Sequence, residues 1–425
     1  MKEKKMKEKK IIWRQVRLGE VAELKNGYAF KSETYATGDY RIITIANVQN
    51  GYLDMSAYNT IPQIPFDIQR HQVLQVGDIL VSMTGNVGRV CKVDIDNCLL
   101  NQRVGVLVKK SKDVADTYLY AVLNTPMFEQ AMINAGQGAA QQNIGKRNIE
   151  DYCIPVPFDE EGEVDMEEQR RIAGILSDMD EEIRVKEELL AKHRALKQGV
   201  MQQLLSPDAV TLSPDVAGDA TASTHTQRRR ELVKLGEIGI ILHGAGFQKA
   251  DFVAKEKGIP CIHYGQIHTR FGTYTKEVVS YVSPSIAKGK QMAKKGDIII
   301  ATTSEDVCDV CKACAWMGNY EIIVSNDACF YRHNQDPIYM AYLFQSKAFN
   351  DFKEQYWTGT KVVRVHSSSI LNFEFPIPDL TEQQRIAGIL SDMDAEIGVQ
   401  EEVIEKLKAV KQGVMQGLLN AQQRA

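Results

Sequence analysis

Apolar residues recur at steps of three and four along two long, nearly identical segments of the chain. The segments cover residues 169–205 and 383–419, and they align without a gap, so that Ile172 matches Ile386, 214 residues later. This spacing places the apolar side chains on one face of a helix, and neither segment contains proline. The pattern predicts two long helices, each roughly 55 Å long at about 1.5 Å per residue.

The apolar stripe of a long single helix has no partner within that helix. Two similar helices in one chain can bury their stripes against each other, and we expect this pairing here. The residues predicted to pair are Ile172, Leu176, Met179, Ile183 and Leu190 in the first helix and Ile386, Leu390, Met393 and Ile397 in the second.

A mixed segment, in which strand-like and short helical patterns alternate, precedes each long helix. The two mixed segments align through shared short motifs: VRLGEVAELKNGYAF matches VKLGEIGIILHGAGF, and QVGDILVSMTGN matches KKGDIIIATTSED. In the first, the Asn-Gly pair at 50–51 predicts a hairpin, and the Thr-Pro pair at 125–126 predicts a break between two helices. The chain is therefore an internal duplication of the α+β class.

The duplication divides the chain into six segments. They are a charged tail at 1–10, the first mixed segment at 11–157, an acidic connector with the first long helix at 158–205, a flexible linker at 206–228, the second mixed segment at 229–378, and the second long helix at 379–425. The linker is assigned from its Ser, Thr, Pro, Asp and Gly content. Because the helices are alike and the mixed segments differ, we expect one common partner or one mutual interface for the helices. For the mixed segments we expect two different ligands or two different sequences.

Composition and charge are those of an ordinary globular protein, with 44% hydrophobic and 25% charged residues. The formal net charge of −4 argues at first against a nucleic-acid ligand. The acidic excess, however, lies on the helices and the connector, while both mixed segments are mildly basic, which permits phosphate contacts. No apolar run approaches the roughly 20 residues of a membrane span, and no signal core follows the basic N-terminus, so we expect a cytoplasmic protein without membrane contacts.

Catalytic motifs are missing from the sequence. There is no GxxxxGK[ST] phosphate loop, no HExxH, no GxSxG and no Asn/Asp-Pro-Pro-aromatic run. HGAGFQK at 243–249 lacks the third glycine of a dinucleotide loop and is interpreted as a hairpin. We therefore predict a chain without catalytic residues; a stand-alone nuclease or methyltransferase, and a scaffold that binds only proteins, are the alternatives.

Three cysteines, Cys308, Cys311 and Cys314, have the spacing C-x₂-C-x₂-C. They could supply thiolates to zinc or an iron–sulfur cluster, with Cys329 or His333 as a fourth ligand. The first mixed segment has a single cysteine, Cys91, near the matching place, and the residues that follow Cys311 have the pattern of a strand and turn. Structural thiols without metal are the favoured interpretation, and a metal site is the alternative.

Polar residues on predicted turns are the candidates for contact with DNA, because Asn, Gln, Arg, Lys, Ser and Thr reach base edges and phosphates. They cluster at matching places of the two mixed segments. In the first segment they are Asn47, Gln49, Thr84, Asn86, Arg89, Gln141, Gln142, Asn143, Lys146 and Arg147. In the second they are Gln266, His268, Arg270, Thr302, Thr303, Ser304, Lys361, Arg364, His366 and Ser367.

These features together resemble the specificity subunit of Type I restriction-modification systems. The resemblance covers roughly residues 11–420. It is carried by the helix openings EQRRIAGILSDMD and EQQRIAGILSDMD, by the strands IPVP and FPIP before them, and by the short motifs LGE and GDI. The QRIA-x-IL pattern after a Pro-x-Pro strand is specific to that family, and its duplication strengthens the match.

The resemblance implies a division of labour among subunits. Each mixed segment would be a target recognition domain for one half of a split, asymmetric site on double-stranded DNA. The long helices would pair as an antiparallel coiled coil with pseudo-twofold symmetry, and would set the spacing of the half-sites. Two methyltransferase subunits would supply S-adenosylmethionine and adenine N6 chemistry, and restriction subunits would supply ATP- and magnesium-dependent translocation and cleavage. This chain itself would bind no cofactor.

Overall fold

The two apolar stripes lie on two long helices, Met166–Leu204 and Leu380–Asn420. The structure is a computed structural model that describes residues 11–136, 143–206 and 231–420. The chain forms two compact units: residues up to 187 with residues from 403 onward, and residues 188–402. Each long helix therefore contributes one part to each unit. The predicted charged tail, and the predicted linker from residue 207 on, lie outside the described residues.

Both long helices begin at an aspartate cap. Asp165 Oδ1 accepts the backbone N–H of Glu168 at 3.0 Å, and Asp379 Oδ1 accepts that of Glu382 at 2.9 Å. Such a cap satisfies one of the amide groups that the first helical turn leaves unpaired. The two caps lie 214 residues apart, so the duplication extends to the start of each helix.

The glutamine four residues after each cap is fully buried and holds the helix to the neighbouring domain. Gln169 accepts the N–H of Ala115 at 2.9 Å and donates to the carbonyl of Asp113 at 2.8 Å. Gln383 accepts the N–H of Asp336 at 2.9 Å. The repeated Glu-Gln pair of the sequence is therefore a structural joint between helix and domain.

In the first unit, two four-stranded sheets and several short helices precede the long helix. The elements are β1 Ile12–Arg17, α1 Leu18–Val21, β2 Ala22–Asn26, β3 Tyr40–Ile43, β4 Asn59–Ile61, β5 Val73–Leu74, β6 Ile79–Ser82, β7 Val90–Lys92, β8 Cys98–Leu100, β9 Val104–Lys109, α2 Asp116–Leu123, α3 Pro126–Ala135, α4 Lys146–Glu150, β10 Cys153–Phe158 and α5, the first long helix. The sheet orders are β2-β9-β6-β7 and β4-β3-β8-β5, and β1 pairs antiparallel with β10.

The second unit repeats this plan with differences in strand number. Its elements are β11 Glu231–Lys234, α6 Leu235–Ile238, β12 Gly239–His243, β13 Ile259–Ile262, α7 Tyr264–Thr269, β14 Tyr274–Thr275, β15 Ser280–Val282, α8 Pro284–Ala287, β16 Ile298–Ala301, β17 Thr303–Ser304, β18 Ala313–Trp316, β19 Ile323–Val324, β20 Ala328–His333, α9 Pro337–Leu343, α10 Lys347–Lys353, β21 Trp357–Thr358, β22 Val363–Val365, α11 Ser367–Ile370, β23 Glu374–Ile377 and α12, the second long helix. The sheets are β12-β20-β16-β18-β14, β15-β13-β19, β17-β22-β21 and β11-β23.

The local predictions for the first mixed segment agree with these elements. The Asn-Gly turn closes an antiparallel bridge between Val48 and Leu53, with Gly51 at φ +88°. Thr125 separates α2 from α3 and caps α3 by accepting the N–H of Phe128 at 3.2 Å.

The predicted hairpin at 243–249 is wrong. Strand β12 pairs with β20, far away in sequence, and Ala245 forms a parallel bridge with Ser325. Gly244 is needed because a Cβ there would lie 1.8 Å from the carbonyl oxygen of Val324. Gly244 thus allows close approach to a distant strand, and a local turn pattern could not reveal that partner.

Cross-helix ion pairs occur in both units. In the first unit, Lys411 binds Asp180, and Lys408 Nζ lies 3.0 Å from Glu187 Oε1. In the second unit, Lys197 binds Asp394, and Arg194 Nη2 lies 2.6 Å from Glu401 Oε1. Each pair of one unit maps onto a pair of the other when both of its residues are shifted by 214 positions. The same interactions therefore link the start of each long helix to the end of the other.

Most of the predicted stripe is buried. Ile172, Leu176, Ile183, Leu190, Ile386, Leu390 and Ile397 are buried, and Met179 and Met393 are half-buried. The first turns of each helix pack into a domain core as well as against the other helix: Ile172 and Leu176 share a cluster with Tyr118 and Met415. The equivalent cluster in the second unit contains Ile386 and Leu390, with Met201 packed against it.

Candidate nucleic-acid interface

In the first unit, the loop after β6 meets the segment before α4. Thr84 forms an antiparallel bridge with Asn143, and its Oγ1 lies 3.0 Å from Asn143 Oδ1. This bridge brings the exposed Asn86 to the same part of the unit as Lys146 and Arg147, which are exposed on the first turn of α4. Two sequence clusters nearly 60 residues apart are thereby joined. Gln141 and Gln142 lie outside the described residues.

The third cluster of this unit joins through Arg89. Its guanidinium donates to Gln49 Oε1, and its Nε lies 3.8 Å from Glu129 Oε1. The Nε is buried and has no hydrogen-bond partner. Arg89 is therefore turned inward, and it connects the 44–58 loop to the loop after β6.

Asn47 is placed differently from the prediction. It is 2% exposed, its Nδ2 donates to the carbonyls of Asp54 and Ala57 at 2.8 Å each, and its Oδ1 accepts from Thr44. Because the amide is used within the loop, Asn47 shapes the loop that carries Gln49 and offers no free edge to a ligand.

In the second unit, a three-stranded sheet joins the equivalent segments. Thr303 of β17 pairs with Arg364 of β22, and β21 lies on the other side of β22. His268 Nε2 lies 2.9 Å from the carbonyl oxygen of Thr303, which adds α7 to the assembly. All three predicted clusters of this unit therefore meet, as they do in the first.

The predicted residues of the second unit differ in accessibility. Arg270, Lys361, Arg364 and His366 are exposed, whereas His268 and Thr302 are half-buried. Gln266, Thr303, Ser304 and Ser367 are buried. Gln266 bridges the N–H of His263 and the hydroxyl of Ser280, so its amide stabilises the start of α7. The buried side chains stabilise the segments beneath the surface, and the exposed side chains are accessible to a ligand.

Charges near both surfaces are partly neutralised by acids. Lys146 donates to Glu23 at 2.7 Å, and hydrogen bonds from Lys146 and Lys25 lower the pKa of Glu23 to about 2. Arg364 Nη2 lies 3.5 Å from Asp327 Oδ1. Both contacts are exposed, so the cations are available to exchange these acids for phosphate oxygens.

Two aromatic residues that the sequence interpretation missed lie beside the second surface. Trp357 is the first residue of β21 and pairs with Val365, and Tyr264 packs edge-on against His268 at 6.0 Å. Both side chains are exposed. The signal for Trp357 was its place directly before the polar Thr-Gly-Thr-Lys segment at 358–361, whereas nothing in the sequence near Tyr264 distinguished it.

The three closely spaced cysteines do not converge. Strand β18 separates two cores, and Cys311 belongs to one while Cys314 belongs to the other; Cys308 is exposed. Burial raises the pKa of Cys311 and of Cys314 to about 12, which favours neutral thiols. Among the described residues, no three His, Cys, Asp or Glu side chains are grouped so as to hold a metal ion.

None of the helices in the described parts of the chain is long and apolar enough to cross a membrane. The long helices carry charged residues throughout, and their apolar stripes are largely buried within the protein.

Comparison with known proteins gives a consistent result. The family model described as "Type I restriction modification DNA specificity domain" matches residues 11–192 and again 229–409. The MjaVIII specificity subunit of Methanocaldococcus jannaschii is 24% identical over 77% of this chain and 74% of its own length. The putative MjaX specificity subunit of the same organism is 22% identical over 97% and 94%.

Two solved structures share the fold. One is the Type I restriction-modification S subunit from M. genitalium, with a TM-score of 0.54, 15% identity and 95% of both chains covered. The other comes from a study of complex assembly and conformational transition of the Type I system, with a TM-score of 0.54, 17% identity and 95% and 96% of the chains covered.

Proposed function

The chain belongs to the family of Type I restriction-modification DNA specificity proteins, and we propose that its two mixed segments read the two halves of a bipartite DNA target. It is the DNA sequence-recognition subunit of such a system and is itself non-catalytic. The recognition domains are proposed to extend over 11–157 and 229–378, with the helical segments at 158–205 and 379–425.

The observation that carries this proposal is the pair of matching surfaces. Each is built from three chain segments that are equivalent in the duplication, joined at Thr84–Asn143 in one unit and at Thr303–Arg364 in the other. Their exposed side chains differ: Asn86, Asn143 and Arg147 in the first against Lys361, Arg364 and His366 in the second. Equal scaffolds with unlike surfaces support two different half-sites, and hence an asymmetric target.

The ribbon of β21 and β22 is the proposed major-groove element of the second domain. Residues 357–362 are all exposed, and Val363 and Val365 anchor the returning strand in the core. A two-stranded ribbon fits the major groove of B-DNA, which is about 12 Å wide. Lys361 and Arg364 carry the donors that pair with guanine O6 and N7 or with phosphate.

The two long helices are proposed to pair as an antiparallel coiled coil that sets the distance between half-sites. The repeated pairs Lys411–Asp180 and Lys197–Asp394 support this arrangement, since each joins the opening motif of one copy to the closing motif of the other. The buried stripe supports it as well. Lengthening both helices by the same number of turns would then change the gap and leave each half-site unchanged.

Two methyltransferase subunits are proposed to dock on the outer faces of the helices. Exposed apolar residues recur there at the duplication offset: Val185 matches Val399, and Leu196 matches Val410. Two copies of one partner require similar surfaces, and an exposed apolar side chain is repeated at both positions. S-adenosylmethionine, ATP and magnesium would be bound by the methyltransferase and restriction subunits, and the complex would work in the cytoplasm.

Mapping of methylated adenines in cells that carry this chain and its methyltransferase subunit tests the proposal. We expect one bipartite motif with a fixed gap. Replacing residues 11–157 with the equivalent domain of a relative should change one half of the motif only. A change in both halves, in neither, or a motif without a gap would contradict the modular assignment.

A further inference from the structure

Lys353 is a buried cation whose partners are main-chain carbonyls. It ends α10, is 5% exposed, and its Nζ donates to the carbonyl oxygens of Cys308 at 2.7 Å and Val310 at 2.9 Å. Burial lowers its pKa, since desolvation disfavours the ammonium. An apolar side chain would fill this position without that cost, so the lysine is explained by what it holds.

What it holds is the loop at 305–312, directly after the paired residues Thr303 and Ser304. The loop is constrained from within, because Cys308 N–H donates to Asp306 Oδ1 at 2.8 Å and Cys311 has a left-handed φ of +64°. Its last residue, Lys312, donates from Nζ to the carbonyl of His268 at 2.8 Å. The loop therefore touches two of the segments that form the second recognition surface.

The chain that follows Lys353 leads into the β21–β22 ribbon. Helix α10 ends at Lys353, and β21 begins at Trp357. The two hydrogen bonds of the ammonium thus tie the base of the ribbon to the 305–312 loop. A shift of that loop would move Thr303 relative to Arg364, which pair across β17 and β22.

The first unit shows the same position without a lysine. The helix caps Thr125 and Ser346 correspond, as do Phe128 and Phe349, at an offset of 221, so Met132 matches Lys353. Met132 is buried against its own recognition loop, where a Cβ at Gly88 would lie 2.7 Å from Met132 Cβ. An apolar contact therefore suffices for the short loop of the first domain. The longer loop of the second domain turns the carbonyls of Cys308 and Val310 inward, where they need donors.

We propose that Lys353 is a positioning residue for recognition of the second half-site, which it serves by fixing the 305–312 loop against the base of the β21–β22 ribbon. This inference rests on the proposed function. In this inference, a residue that lies beneath the exposed surface affects how accurately the second half-site is recognised, and does not affect the first.

The test is K353M, which installs the side chain that the first unit uses. The full chain is produced with its methyltransferase subunit, and methylated adenines are mapped across the genome. We expect sites with one mismatch in the second half-site to gain methylation about tenfold relative to matched sites, with the first half-site unchanged. K347M is the matched control, because Lys347 lies on the same helix and pairs with the exposed Asp351 at 2.6 Å; it should give the wild-type motif.

Three outcomes overturn the inference: an unchanged motif, relaxation of both half-sites, or a uniform loss of methylation together with a lower melting temperature of the complex. The last would mean that Lys353 only supports the fold. A K353Q variant, which keeps a donor, should relax the second half-site less than K353M. Absence of any bipartite motif from the wild-type complex would instead contradict the proposed function itself.

Discussion

Lys411, near the end of the second long helix, forms an ion pair with Asp180, in the first half of the first long helix, and both residues are partly buried. The same contact recurs as Lys197–Asp394, with each residue shifted by 214 positions. Asp394 also accepts from the Tyr342 hydroxyl at 2.6 Å, so this pair links the helices to the domain. The repeated Asp of the opening motif and the repeated Lys of the closing motif are thus each other's partners.

A double-mutant cycle on Lys411 and Asp180 should reveal coupling. We expect K411A and D180A each to lower the free energy of unfolding by about 1 kcal/mol or more, because removal of one partner leaves a partly buried charge unpaired. The double variant should cost less than the sum of the two. Urea unfolding followed by circular dichroism measures this. R184A, which breaks the exposed Arg184–Glu181 pair, should cost under about 0.5 kcal/mol; strict additivity at 411 and 180 would argue against the contact.

Leu176 and Leu196 lie on the same helix and should separate folding from docking. Leu176 is buried in the first core, so L176A should destabilise the protein by about 2–5 kcal/mol through loss of buried surface and a residual cavity. Leu196 is 58% exposed, and L196A should leave the melting temperature nearly unchanged while it weakens association with the methyltransferase subunit. Calorimetry and a co-purification titration give the two readouts. Undiminished association of L196A would remove the helix surface from the docking proposal.

Arg364 and Arg147 provide matched tests of the two surfaces. In the assembled complex, R364A should weaken specific binding by about 1–3 kcal/mol and relax the second half-site if the guanidinium contacts a base. If it contacts a phosphate, binding should weaken for all sequences and the salt slope should fall by about one. Fluorescence anisotropy with duplexes mutated in one half-site distinguishes these cases, and R147A should act on the other half. An effect of R364A confined to the first half-site would refute the assignment.

His333 should make the second unit sensitive to mild acid. Burial lowers its pKa from 6.5 to about 4, against the opposing charges of Asp297 and Asp336. The unfolded chain therefore takes up a proton on this ring before the folded chain does. The stability that follows is present above pH 6.5 and is lost as the pH falls from there towards 4. Urea unfolding of H333Q over that range should show a shallower loss than wild type; H366Q, a change at an exposed histidine, is the control, and parallel curves for H333Q and wild type would disprove the effect.

Much of the fold follows from patterns that are local in sequence. The helical stripe, the Asp caps, the Thr-Pro break before α3 and the Asn-Gly turn at 50–51 are set by periodicity and by backbone preferences of nearby residues. The hairpin expected at 243–249 failed because the partner of β12 is β20, about 90 residues away. Pairing between distant strands depends on packing that a turn motif does not encode.

The candidate surfaces show the same limit of prediction from local sequence. Residue type selected segments that the structure brings together, since all three clusters of each unit meet, but it could not tell which side chains face outward. Asn47 and Gln266 satisfy their amides internally, whereas Asn86 and Lys361 are exposed. The C-x₂-C-x₂-C spacing likewise does not predict that Cys311 and Cys314 lie in different cores.

By itself, the sequence determined the duplication, the two long helices, their amphipathic stripes and the family, because these depend on spacing and on motifs repeated at a fixed offset. Only the tertiary structure decided that the opening motif of each copy contacts the closing motif of the other, and that Lys353 turns inward to two carbonyls where Met132 makes an apolar contact. Those outcomes depend on which side chains share a desolvated space, where an unpaired polar group is costly. That space exists only after distant segments have packed together.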